Sequence, residues 1–113
     1  MTESVLLVGT RKGLWIGRSD SERQHWAWDP PQFLMQEIYA TCIDSRGGGR
    51  RMLVGATSSH FGPGVFASDD GGRTWSEAVA APVRFPEKLG ASVERIWQIQ
   101  PGTEPGVVYA GTE

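Results

Sequence analysis

The sequence predicts an all-β fold: a partial β-propeller of about two blades of four-stranded antiparallel sheet, plus the start of a third. Three observations carry that expectation. The 15 glycines and 7 prolines fall between short apolar runs rich in Val, Ile, Trp and Phe, as in a sheet protein with many tight turns. A strand-like run ending in Gly and a small or hydroxyl residue occurs three times: Val-Leu-Leu-Val-Gly-Thr (5–10), Met-Leu-Val-Gly-Ala-Thr (52–57) and Val-Val-Tyr-Ala-Gly-Thr (107–112). Around the complete copy, four such runs fit a period of about 50 residues, the size of one propeller blade packed between neighbours around a central channel.

Taken in order, the first unit (3–30) supplies strands at 5–10, 14–18 and 25–29. These correspond to the second, third and fourth strands of a blade, so its inner strand is expected from a C-terminal continuation. The second unit (36–80) is complete, with runs at 38–44, 51–57 and 64–67 and a fourth opened by Trp75. A third unit (93–113) begins with runs at 93–100 and 106–112. Gly55 and Gly111 lie 56 residues apart, and Ile43 and Ile99 each stand 12 residues before them, so the two isoleucines are equated.

Composition narrows the function classes. With 39% hydrophobic and 21% charged residues, the chain has the makeup of a folded domain and not of a disordered tail. The aliphatic run at 5–8 is far shorter than the roughly 20 residues a membrane helix needs, and no signal-peptide pattern precedes it. Cytoplasmic location and no membrane partner are therefore expected. A net charge of −2 gives no basic field for nucleic acid. Arg46-Gly-Gly-Gly-Arg-Arg51 reads as a glycine-rich hairpin turn rather than an RNA-binding segment. Cys42 has no partner cysteine and is expected to be a small buried residue.

Ser68-Asp-Asp-Gly-Gly-Arg-Thr-Trp75 fits S-x-D-x-G-x-T-W at every specified position. The turn chemistry explains the pattern. A Ser hydroxyl and an Asp carboxylate accept backbone N–H groups from within a tight hairpin. Gly72 supplies a positive φ, and Trp75 buries a large ring. A degenerate copy keeps Ser19 and Trp26 at the same spacing, with Ser21 in place of the Asp and Arg23 in place of the Gly. The full motif resembles the Asp-box, or bacterial neuraminidase, repeat of sialidases and related propellers. That resemblance implies a structural role for Ser68, Asp70, Gly72, Thr74 and Trp75, on the rim opposite a substrate pocket. The motif lacks the further ligands of a calcium loop, and neither a metal nor a cofactor is expected. Val83-Arg-Phe-Pro86 matches a sialidase x-R-x-P core but follows the Asp box instead of preceding it, and is set aside.

In such a propeller the connection into each inner strand and the loop from second to third strand share one face, at the channel mouth. Arg11, Lys12, Glu37, Tyr39, Ser59, His60, Glu94 and Arg95 fall on those segments. They suit a sugar or an anionic small molecule. No catalytic residue is assignable. The expected function is a scaffold that binds a small ligand or a protein, with uncovered blade faces open to self-association. The alternative implied by the resemblance is a fragment of an exo-sialidase-like glycoside hydrolase, inactive on its own because its arginines, nucleophile and acid come from many blades.

Overall fold

The computed structural model describes residues 3–59, 62–77 and 85–113. Met1, Thr2, His60, Phe61 and residues 78–84 fall outside it, and with them the His60 expectation, the end of the second unit and Val83-Arg84. Among the described residues nine strands form three antiparallel sheets. The first holds β1 (Glu3–Thr10), β2 (Gly13–Asp20) and β3 (Ala27–Trp28) in that order. The second holds β4 (Glu37–Asp44), β5 (Arg51–Ser58), β6 (Gly62–Ser68) and β7 (Ser76–Glu77). The third holds β8 (Ile96–Pro101) and β9 (Val108–Thr112). The architecture is all-β, and among the described residues no helix is long and apolar enough to cross a membrane.

The second sheet lies between the other two, and its residue pattern records both contacts. Strands buried on both faces read as continuous apolar runs. In β5, Met52, Val54 and Ala56 join Leu14, Ile16 and Ile38 in one buried cluster, with Val5, Leu7, Phe33, Phe66 and Trp75 packed against it. Leu53, on the opposite face of β5, joins Ala40, Val93, Ile96 and Ile99 in a second cluster that takes in Cys42, Val65, Ala67 and Ala110. Cys42 is accordingly half-buried, and desolvation raises its thiol pKa.

A bulge interrupts this packing in β4. In β4 the register with β5 shifts between Ile38 and Ala40, so Tyr39 is the extra residue. In a regular strand running through Ile38, Tyr39 and Ala40 the first and last would share a face; the bulge turns Ile38 to the first sheet and Ala40 to the third. The register of β8 shifts in the same way between Ile96 and Gln98, around Trp97.

The isoleucine before each bulge meets the glycine of the preceding repeat strand. A Cβ placed on Gly9 would stand 2.7 Å from the carbonyl oxygen and 2.9 Å from Cγ2 of Ile38. One placed on Gly55 would stand 3.0 Å from Cβ and 3.1 Å from Cγ2 of Ile96. The recurring Gly is therefore a close-approach position for the next sheet.

This contact corrects the equation of Ile43 with Ile99. Gly55 pairs with Ala40 and Gly111 with Gln98, so Ile38 corresponds to Ile96, 58 residues on. The two hairpins differ in length between bulge and turn, and counting back from the glycine misses that difference. The degenerate motif is displaced as well. Counted from the pairs Gly9 with Leu14 and Gly55 with Val65, Gly17 and not Ser19 stands where Ser68 stands. The ring of Trp28 covers Gly17, 3.0 Å from its Cβ position. β2 runs on to Asp20, whose carboxylate accepts Glu22 N–H at 3.1 Å and Arg23 N–H at 3.2 Å in a turn that holds Arg23 at φ 58°.

Two arginines fasten the sheets at the end away from the bulges. Arg18, paired with Asp29 at 3.0 Å, donates to Gly71 O at 2.6 Å in the turn of the second sheet. Arg46, held by Asp44 at 2.8 Å, donates to the carbonyls of Gly102, Glu104 and Val107 in the β8–β9 loop. The glycine-rich segment is thus a turn whose first arginine is fully engaged, with Gly47 and Gly48 at φ 70° and 82°.

Truncating the isoleucine that fits Gly55 tests this packing. Ile96→Ala is expected to destabilise the chain by about 2–5 kcal/mol, the cost of a buried Ile deletion with its cavity, read as a lowered urea midpoint with unchanged slope.

Candidate functional site

The S-x-D-x-G-x-T-W turn is a closed hydrogen-bond network. Ser68 is 1% exposed; its hydroxyl donates to Asp70 Oδ1 at 2.8 Å and accepts Gly72 N–H at 2.9 Å. Asp70 Oδ1 also accepts Arg73 N–H at 3.0 Å and Thr74 N–H at 2.9 Å, and Oδ2 accepts the Thr74 hydroxyl. Those bonds, the Thr74 hydroxyl first, hold the Asp70 carboxyl well below the usual carboxylate range. Gly72 has φ 92°, and a Cβ there would stand 2.6 Å from Ile16 Cδ1. The Trp75 indole N–H donates to Gln32 Oε1 at 2.8 Å and to Gly72 O at 3.1 Å, and its ring meets Phe33 edge-on at 5.2 Å. The Ser68, Asp70, Thr74 and Trp75 side chains are thus all bonded within the turn or to Gln32. Asp69, beside it, pairs with Arg51 at 2.9 Å. Among the described residues no group of three or more His, Cys, Asp or Glu is placed to hold a metal ion.

The other end of the sheets is different in kind. Because a bulge re-aims the side chain it carries, Tyr39 and Trp97 leave the two apolar layers and meet each other edge-to-face, ring centroids 5.2 Å apart. The Arg95 guanidinium lies 5.7 Å from both rings. Glu113 closes one side: its Oε2 accepts from Arg95 Nη1 at 3.0 Å and from the Trp97 indole at 3.0 Å. Glu37 closes the other: its Oε2 accepts the Tyr39 hydroxyl, and its Oε1 stands 3.6 Å from Arg11. The Glu37 carboxyl is held below its ordinary pKa, first by the Tyr39 hydrogen bond and then by the charges of Arg11 and Arg95.

Four of the residues expected at the channel mouth therefore come together: Arg11, Glu37, Tyr39 and Arg95. Lys12 is a neighbour in the two-residue turn between β1 and β2, with its N–H on Thr10 Oγ1 at 3.1 Å, and its side chain is exposed. Glu94 is exposed at the edge, 3.9 Å from Arg95 Nη1, and Ser59 is exposed after β5. Trp97 and Glu113 belong to the cluster although sequence reasoning did not select them. The available signal was the triplet Arg95-Ile96-Trp97 matching Glu37-Ile38-Tyr39: a charge, the isoleucine, then an aromatic. Half of the Trp97 surface is exposed. Chemically, the cluster offers aromatic faces flanked by two guanidinium–carboxylate pairs. That combination suits a polar molecule with both apolar and hydroxyl-bearing surfaces.

No protein-family model matches the chain, and no curated protein sequence matches it either.

Two measurements check the turn. Ser68→Ala is expected to cost about 1–3 kcal/mol by stranding its partners. Ser19→Ala is expected to be neutral or stabilising, because the buried Ser19 hydroxyl finds no hydrogen-bond partner among the described residues. Lowering the pH supplies the second. Asp44, held at about 2 by the Arg46 hydrogen bonds, and Asp70, lower still, both have depressed folded pKa values. Their stabilisation is complete above the unfolded value near 3.8 and is lost as the pH falls through the folded values. Urea midpoints between pH 5 and 2 should decline, and Asp70→Asn should flatten that decline.

Proposed function

We propose that the chain is part of an Asp-box β-propeller that serves as a ligand-binding scaffold, with the Tyr39–Trp97–Arg95 rim as its ligand site. Successive antiparallel sheets stacked in chain order through one repeated Gly–Ile contact support the propeller reading, as does the Asp-box turn at the end opposite the rim. The observation that carries the binding reading is the pair of bulged aromatics with Arg95 between them and Glu37 and Glu113 on either side. Turning two aromatic rings out of the core at matching strand positions leaves apolar surface in water, a cost that a ligand stacked on them offsets. A sugar fits best. Its C–H face packs on an aromatic ring, and its hydroxyls find carboxylate acceptors and guanidinium donors.

One observation favours a second reading, a fragment of a sialidase-like glycoside hydrolase: the Tyr39 hydroxyl donates to the Glu37 carboxylate, the pairing of a nucleophile with its base. It ranks lower because both rim arginines already face carboxylates, Arg95 with Glu113 and Arg11 with Glu37. A substrate carboxylate would have to displace those partners.

Isothermal titration with a panel of neutral and acidic mono- and disaccharides tests the proposal. Saturable binding to at least one sugar is expected, weakened about tenfold by Trp97→Ala, in line with 1.4 kcal/mol per decade for a lost stacking face. Binding to none of them, or affinity unchanged in Trp97→Ala, defeats it. Release of fluorophore from a sialoside, lost in Tyr39→Phe, would put the hydrolase reading in its place.

A further inference from the structure

The contact between the sheets is a repeated knob and socket. Gly9 receives Ile38, and Gly55 receives Ile96. Gly111 is the third glycine in the series. It pairs with Gln98 in β9 as Gly55 pairs with Ala40 in β5, and the nearest atom to its Cβ position is Gln98 Cβ at 3.9 Å. Ala110 packs against the second sheet, so Gly111 lies on the opposite, exposed face of the third. By the strand alternation Tyr109 shares that face with it, and Tyr109 is 63% exposed.

From this continuity with the two established interfaces we infer that the outer face of the β8–β9 sheet docks a β-hairpin whose first strand carries an isoleucine followed by a bulged aromatic, with the isoleucine seated on Gly111. Two further features define the occupant. Gln98 and Gln100, exposed on the same face, take the places that Ala40 and Cys42 fill in the second sheet, so a matching strand carries hydrogen-bonding residues beside its isoleucine. β4 has that pattern: the bulge places Thr41 on the same face as Ile38. The aromatic after the isoleucine would then be re-aimed beside Trp97 and extend the rim by one ring. The inference rests on the sheet geometry and is independent of whether the rim binds a sugar.

The probe is a head-to-tail cyclised hairpin with the sequence of residues 36–58 and Cys42→Ser, titrated into the 113-residue protein and followed by backbone amide shifts. Saturable binding is expected, with shifts centred on Gln98, Tyr109 and Gly111. Ile38→Ala in the hairpin should weaken it about tenfold or more. Gly111→Val in the protein should remove it by filling the socket. If that variant does not fold, the Ile38→Ala hairpin decides alone. Absence of saturable binding, shifts confined to the first sheet, or equal affinity of the Ile38→Ala hairpin overturns the proposal. Sedimentation showing that the protein dimerises through the Gly111 face without hairpin would assign that face to a second copy, and overturns it equally. The saccharide titration reads Trp97 separately, so failure of one experiment leaves the other standing.

Discussion

The seating of an isoleucine against a bare glycine backbone is the constraint from which the rest of the molecule follows. Small antiparallel sheets cannot bury enough apolar surface alone, and they gain stability by lying against one another. A sheet can approach closely only where the facing strand carries no Cβ, and Gly9 and Gly55 provide those places. Once Ile38 and Ile96 are seated, Leu14, Ile16, Met52 and Val54 close over one interface and Leu53, Val93 and Ile99 over the other. Arg18 and Arg46 then tie the far ends by reaching carbonyls of the next turn.

The chemistry at the rim is a by-product of the same geometry. β5 serves both interfaces by plain alternation, whereas β4 and β8 each carry an extra residue whose side chain joins neither core. In β4 and β8 it is aromatic, and its ring is delivered to the end of the sheets. Packing and outward-facing residues therefore occupy adjacent positions: Ile38 and Ile96 hold the sheets, while Tyr39 and Trp97 face outward. The Ser68–Trp75 turn at the other end performs no comparable task. Its hydroxyl, carboxylate and indole are all committed to backbone and to Gln32, which frees the opposite rim to vary.

Much of the fold was legible because period-2 burial and turn residues are local signals. The apolar runs gave β1, β5 and β9, and the Ser68–Trp75 spacing gave the turn between β6 and β7. What escaped depended on pairing. Nothing in the local sequence around Tyr39 announces a bulge, since the register shift exists only against β5, so Ile43 was equated with Ile99 when Ile38 corresponds to Ile96. Similarly, the spacing of Ser19 and Trp26 imitates a turn, yet β2 extends three residues further before reversing and carries the motif off its place. At the rim, Arg11, Glu37, Tyr39 and Arg95 could be named from loop positions. Trp97 lies inside the strand run at 93–100 and away from the loop positions, and Glu113 joins the rim only through side-chain bonds that no spacing encodes.

The bulge at Tyr39 also sets how such a chain can change over time. Side-chain exchange at that position alters only what the rim displays and leaves both apolar clusters in place. Loss of the residue would remove the ring alone: Ile38 would directly precede Ala40, ordinary alternation would keep the two on opposite faces, and both interfaces would persist. Repeats built on this plan should therefore drift readily at the bulge, and one without the extra residue would stack as before while lacking its outward ring. Other small insertions and deletions would collect in the hairpin turns, where the third sheet already differs from the second.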